Sequence, residues 1–329
     1  MNASLAKSTW SKYRSGYNAF VCFEAQRCYC APWPIPLQTI RAFVSWCHST
    51  KKLAPSSIKG YLSALKYVHL LRGFKCDYIT EDPIVSLLLR GAKNVASMDK
   101  QNTRRVLTFP LLLILGHKIA SEKWDQLWKQ TLWALCTTAF FGSFRLGELL
   151  ASQVHDFSPV SDLTWQDIRS SSPTSLLVRI KQPKSGEKNG EFVDLFPFEG
   201  YNCCPVLALK SLRNLQLQAG MTDESLPVFR LPGGKNITTA VFNDYLAYLT
   251  SDICTPGLSS ISCHSFRPGI PSTLSLYPEL ANSDLIKGWG RWHSECYQKY
   301  TRLKLPQKEN IFSKISTALK MVSDSPISE

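Results

Sequence analysis

The chain has 329 residues, 44% of them hydrophobic, and a formal net charge of +13. That length suggests about two domains with sizeable cores, and that apolar content excludes an intrinsically disordered chain. Residues 1–105 hold 16 Lys+Arg against 5 Asp+Glu, whereas residues 106–329 hold 22 against 20, so a basic module precedes a nearly neutral one, as expected when the partner is a polyanion.

In chain order, Ser8-Thr9 can cap a first helix to about Arg27, with Trp10, Tyr13, Tyr17, Phe20 and Val21 at helical spacing. Pro32, Pro34 and Pro36 break it. A second helix is expected over about Leu37–Ser49, with Ile40, Phe43, Val44 and Cys47 on one face. Ser56-Ser57 can cap a third, about Ser57–Leu71, with Ile58, Tyr61, Leu62, Leu65 and Val68 inward and Lys59 and Lys66 on the other side. Gly73 ends it, and a short fourth helix covers about Pro83–Arg90. Residues 1–90 thus form a small clamp of four helices with a basic exterior. Residues 91–105 lack apolar periodicity and read as a basic linker, in which Lys93, Lys100, Arg104 and Arg105 suit a strand lying near phosphates.

From Val106 the pattern changes. Helices are expected at about 109–120 and 124–140, then two strands, Leu176–Ile180 and Gly190–Leu195, joined by a hairpin turn at Lys184–Gly190. Helices at about 205–219 and 238–251 follow. After Pro306, Gln307 to about Val322 reads as an amphipathic helix with Ile311, Phe312, Ile315 and Leu319 together. It can fold back on its own domain or dock on a neighbouring protomer. The whole is mostly α: residues 1–90 as clamp, 91–105 as linker, 106–305 as a mixed α+β catalytic domain with a small antiparallel sheet, and 306–329 as the tail.

The 11 cysteines are odd in number and lack framework spacing, and Cys28-x-Cys30 and Cys203-Cys204 do not match zinc patterns. They read as small buried hydrophobes in a reducing compartment. No signal-peptide apolar run opens the sequence, and Leu111–Leu115 is too short to span a bilayer. An intracellular protein with no membrane partner and no metal is expected.

Four segments carry chemistry: Gly142-Ser-Phe-Arg-Leu-Gly-Glu148, Lys181-Gln-Pro-Lys-Ser-Gly186, His264-Ser-Phe-Arg267 and Gly290-Arg-Trp-His-Ser-Glu-Cys-Tyr-Gln-Lys-Tyr300. Breaking a phosphodiester without a metal requires neutralised nonbridging oxygens, an activated nucleophile, a protonated leaving oxygen and in-line geometry. Arginine suits the first task because its planar fork stays charged and donates two hydrogen bonds. Arg145 and Arg267 are the candidates. Glu148, three residues after Arg145, shares its helix face and can orient the guanidinium. His264 and Arg267, also three apart, would face one phosphate from a single turn. Pro268 is tolerable at a helix start, and Pro271 is less comfortable. Tyr300 is the candidate nucleophile, with Tyr297 three residues earlier as its competitor. Taken singly, each motif is also an ordinary surface pair or turn.

The order and spacing of the four segments resemble the tyrosine recombinase (phage-integrase-like) family. The resemblance implies a core-binding clamp domain, a catalytic domain and no cofactor. It implies Lys184 as the general acid for the 5′-oxygen, with Lys181 and Lys188 as competitors, and Trp292, or the adjacent His293, as a donor to the phosphate. It implies a site-specific recombinase or integrase: Tyr300 attacks double-stranded DNA to give a 3′-phosphotyrosyl bond, and four protomers assemble as a tetramer on two duplexes without ATP. The runs Cys204-Pro-Val-Leu-Ala-Leu-Lys210, His264-Ser-Phe-Arg267 and Gly288-Trp-Gly-Arg-Trp292 are most similar to recombinases of DIRS-like/Ngaro retrotransposons and Cryptons, implying a mobile element and a nuclear location. A type IB topoisomerase and a catalytically inactive DNA-binding derivative are the alternatives.

Overall fold

In a computed structural model of the chain, the described residues are 5, 7–99, 106–181, 190–199, 202–253, 261–274, 283–291, 312–317 and 319–320. They fall into two compact units, residues 1–102 and 103–329.

The first unit is helical: α1 (Lys7–Gln26), α2 (Leu37–Ser49), α3 (Pro55–Leu71), the single turn α4 (Tyr78–Glu81) and α5 (Pro83–Asp99). α1 packs along α3, and α2 packs against α5. Gly16 permits the first contact, since a Cβ there would sit 2.9 Å from the Ala64 Cβ. Phe20, Phe23, Ile40, Phe43, Ile58, Leu62 and Leu65 form the core. Trp10 and Val21, expected on the inward face of α1, are exposed; Val21 lies about 100° around the helix from Phe20, and Phe23 takes its place. α3 begins two residues earlier than expected, with Pro55 at its first turn and Ala54 as an N-cap that makes no side-chain hydrogen bond. Proline's fixed φ suits that position without a capping side chain.

α5 continues nine residues past Arg90, through Asp99. Residues 91–99, expected as linker, are therefore helix. Ala92 is buried and continues the apolar stripe of Val85 and Leu89, which the glycine at 91 had masked in the sequence. Asp82 starts this helix: its carboxylate accepts the Val85 N–H at 2.8 Å and both forks of Arg41 at 3.1 and 2.7 Å.

The second unit is built on α7 (Gln126–Phe141), whose last eleven residues are almost all buried. Around it lie α6 (Phe109–Ser121), α9 (Pro205–Gln218) and α11 (Gly269–Leu274), with α10 (Thr239–Leu249) against α6 and α12 (Ser283–Gly290) against α11. Asp125 caps α7 by accepting the Trp128 N–H at 2.8 Å. A three-stranded antiparallel sheet, β1 (Ile168–Ser170), β2 (Leu176–Ile180) and β3 (Glu191–Leu195), runs in sequence order, with Val178 opposite Val193. β2 buries Leu176, Val178 and Ile180 on one face, the period-2 pattern of a half-covered sheet. β1 was not anticipated; three residues, Ile-Arg-Ser, are too few for alternation to register. Pro271 sits in the first turn of α11, where the missing N–H has no intrahelical partner to lose.

The C-terminal apolar face lies in the core of the same unit. Phe312, Ile315 and Leu319 are buried there, and Phe312 stacks on Trp289 at 5.8 Å and meets Phe196 at 5.5 Å. The described residues of this segment thus pack on their own unit. Among the described residues no helix is long and apolar enough to cross a membrane.

Candidate functional site

The site begins where α7 ends. Gly142 closes the helix, and a Cβ there would overlap the Phe144 ring at 2.2 Å, so only glycine lets the chain turn back. Ser143 follows with φ +48, the left-handed region that non-glycine residues rarely occupy. This turn buries Phe144 and leads into the one-turn helix α8 (Leu146–Leu149), with Arg145 at its N-cap. The Arg145 N–H donates to Glu148 Oε2 at 2.9 Å, and its Nη1 donates to Glu148 Oε1 at 2.7 Å. These two bonds hold the Arg145 backbone and guanidinium against Glu148.

Arg267 reaches the same carboxylate from far along the chain. It follows a 3-10 turn, Cys263–Ser265, which is pinned when the Leu107 N–H donates to Ser265 O at 2.9 Å. Arg267 is 8% exposed. Its Nη1 donates to Ser143 O at 3.3 Å and its Nη2 to the carbonyls of Gly290 at 2.8 Å and Arg291 at 3.1 Å. Nη1 lies 4.0 Å from Glu148 Oε1. Burial first, then the charges of Arg291 and Arg145, lower its pKa to about 10. His264 is exposed and occupies the 3-10 turn, while the buried Arg267 lies beyond it, so the two do not share one helical turn as expected. Three-fold geometry places residues three apart in register only within a continuous helix, and here the helix begins at Gly269.

One residue that the sequence reading passed over completes the cluster. Arg291 ends the α12 segment with φ +50, and its guanidinium is 9% exposed. Its Nη2 donates to Glu148 Oε2 at 2.9 Å and to Ser143 O at 3.0 Å. Nη1 is 3.7 Å from Glu191 Oε2, and the guanidinium lies over the Phe144 ring at 5.0 Å. Two arginines and one backbone carbonyl therefore meet at Ser143, and three arginines meet around Glu148. Burial pushes the Glu148 carboxyl up, but the Arg291 charge and the Arg145 hydrogen bonds outweigh it and hold the carboxyl below its ordinary 4.5. The only sequence signal for Arg291 is its place beside Gly290 in the last motif.

Lys181 is engaged elsewhere. Its ammonium lies 2.5 Å from Asp167 and donates to the carbonyls of Pro159 at 2.6 Å and Asp162 at 2.9 Å. A half-buried lysine so tethered is a structural cross-brace between the end of β2 and the 3-10 turn at Trp165–Asp167. Lys184, Lys188, Trp292, His293, Tyr297 and Tyr300 lie outside the described residues, as do Lys100, Arg104 and Arg105. In the first unit Lys59 and Lys93 are exposed, and Lys66 is paired with Asp77 at 2.8 Å. Among the described residues no group of three or more His, Cys, Asp or Glu side chains could hold a metal ion.

No protein-family model and no curated protein sequence matches the chain. Solved structures do. The XerH site-specific recombinase bound to difH substrate, a pre-cleavage complex, is 14% identical with TM-score 0.56, over 92% of this chain and 78% of that one. XerH bound to palindromic difH, a post-cleavage complex, is 13% identical with TM-score 0.52, over 85% of this chain and 70% of that one. At this identity the likeness is one of fold, and the fold is that of the tyrosine recombinases.

Proposed function

We propose that the chain is a site-specific DNA recombinase that cuts and rejoins duplex DNA through a 3′-phosphotyrosyl bond to Tyr300. The observation that carries this reading is the convergence of Arg145 and Arg267 beside one carboxylate and one carbonyl on a recombinase fold. Two guanidiniums held rigidly together can donate to the nonbridging oxygens of one phosphate and stabilise the charge that grows there during attack. XerH, the similar structure, is itself a complex with a recombination substrate.

In this mechanism the Tyr300 hydroxyl passes its proton to a base, for which His264 is the candidate, and its oxygen attacks phosphorus. The bond to the 5′-oxygen breaks, and Lys184 delivers a proton to that oxygen. Attack by the 5′-hydroxyl of a second duplex reverses the step and releases the tyrosine. His264 and Trp292, or His293, supply further hydrogen bonds to the phosphate. The bond energy stays in the phosphotyrosyl link, so no ATP is needed, and Arg145 and Arg267 take the charge-neutralising role that a metal would otherwise have. Four protomers on two duplexes would exchange strands, and the resemblance of the runs 204–210, 264–267 and 288–292 to DIRS-like and Crypton recombinases supports a role in moving a mobile element, in the nucleus.

A duplex nicked near the cleavage point tests the reading, because loss of the short fragment traps the covalent adduct. Wild type and Tyr297→Phe should form the adduct in EDTA. Tyr300→Phe should bind DNA almost unchanged, since one hydroxyl contributes little to a phosphate-dominated interface, and should form none. Absence of any adduct would leave a DNA-binding derivative. Relaxation of supercoiled DNA without exchange between two sites would favour a type IB topoisomerase.

A further inference from the structure

Among the described residues, the cluster around Glu148 carries more positive charge than its own side chains balance. Arg145, Arg267 and Arg291 surround one buried carboxylate, and the second carboxylate, Glu191, lies 3.7 Å from Arg291 in a more exposed position, from which its charge also reaches Arg267. Burying like charges side by side costs free energy, and the lowered pKa of Arg267 registers that cost. Three further buried groups, Ser143 Oγ and the Nε and Nη1 of Arg291, have no hydrogen-bond partner among the described residues. Ser143 and Arg291 also both hold left-handed backbone angles, +48 and +50, conformations that cost about 1 kcal/mol or more and that collect at functional sites. Stability alone accounts for none of this. An oxyanion beside the cluster would.

Arg291 has a particular place in that balance. Arg145 and Arg267 with Glu148 alone leave one net positive charge. Arg291 binds the far oxygen of the same carboxylate and restores the second, while its own carbonyl accepts from Arg267. We infer that Arg291 is a positioning residue of the cleavage site: it neutralises Glu148, so that the carboxylate can orient Arg145 without cancelling the charge that Arg145 and Arg267 present to a phosphate. This rests on the function proposed above.

The test separates charge from architecture. In the nicked-duplex assay Arg291→Met should slow adduct formation about a hundredfold, the scale of losing one preorganised electrostatic partner, with duplex binding nearly unchanged. Arg291→Lys keeps the charge and should retain most of the rate. The decisive variant is Arg291→Met with Glu148→Gln: removing the carboxylate charge restores the balance, so the double variant should outpace Arg291→Met about tenfold. If the double variant is as slow as Arg291→Met or slower, Arg291 serves packing only and the inference fails. A wild-type rate in Arg291→Met would overturn it equally. Inorganic phosphate supplies a readout that needs no tyrosine chemistry. Its affinity for the folded protein, read from the rise in thermal midpoint, should fall about tenfold in Arg291→Met and recover in the double variant. Equal phosphate affinities overturn the inference even where adducts form. The expected phosphate pattern without any wild-type adduct would sustain it and overturn the recombinase reading instead.

Discussion

Lys181 follows β2 with its ammonium 2.5 Å from Asp167 and under the carbonyls of Pro159 and Asp162. Both partners are nearly buried, so Lys181→Ala leaves a carboxylate with only the Thr164 donors. Removing one partner of a buried pair typically costs 3–5 kcal/mol; with those donors still present, about 3 kcal/mol is expected, read from urea unfolding of the second unit. Lys184→Ala should leave that unfolding curve in place and slow cleavage of ordinary DNA. It should act almost normally on a substrate with sulfur at the 5′-bridging position, since a thiolate leaves without a proton. Equal losses on the two substrates would count against Lys184. The sequence kept Lys181 as a competitor of Lys184, because nothing local in Lys181-Gln-Pro-Lys184 announces a carboxylate fourteen residues upstream. By contrast the pairing of Arg145 with Glu148 was legible, since three residues on one turn suffice to make it. Arg291 was not: its partners Ser143 and Glu148 lie across most of the second unit in sequence, and no periodicity encodes a contact of that kind.

At the scale of elements, two packed segments contribute to stability in different ways. In the first unit His69 of α3 is fully buried. Its Nδ1 lies 2.8 Å from Leu65 O, the donating arrangement, and its Nε2 accepts the Ile35 N–H at 3.1 Å. Burial lowers its pKa below the ordinary 6.5. The folded state therefore binds fewer protons than the unfolded one between the lowered value and 6.5. Stability should be constant above about pH 6.5 and fall below it, by at most about 1.4 kcal/mol per pH unit. His69→Gln should flatten this dependence; an unchanged slope would assign the acid sensitivity to other groups. In the second unit the C-terminal helix is a structural part of the core. Phe312→Ala should cost about 3–5 kcal/mol and lower the thermal midpoint before any assembly on DNA is assayed, and deleting residues 307–329 should do more damage still. A truncated protein with an unaltered midpoint would return this helix to the role of an intersubunit arm. The amphipathic face was readable from spacing, but its destination was not, because an apolar stripe specifies burial and not the partner that provides it. The strands β2 and β3 and the helices α6, α7, α9 and α10 were legible for the complementary reason, that each repeats its pattern over enough residues to be counted.

At the scale of the whole molecule the charge asymmetry is the feature most relevant to DNA. The excess of cations belongs to residues 1–105, and α3 carries two of them in different states. Lys59 is exposed. Lys66 shares its ammonium with Asp77 at 2.8 Å, and the pair lies largely in solvent, where it adds little to stability. A cation already engaged by a carboxylate displaces fewer counterions from a duplex. If the face of α3 bearing these lysines grips phosphates, the dependence of log K on log salt should be steep in wild type. Lys59→Ala should make it shallower by about 0.9, one phosphate contact on B-DNA, and Lys66→Ala by less. Asp77→Asn should act in the other direction, freeing Lys66 and tightening binding at low salt while leaving the fold of the first unit in place. These losses should be uniform across duplex sequences, because phosphate contacts position a protein without reading bases. Salt slopes measured by fluorescence anisotropy on an unrelated duplex would decide the matter. If Lys59→Ala and Asp77→Asn both leave the slope at its wild-type value, the basic surface that grips DNA is on another face of the unit, and α3 contributes its core residues alone.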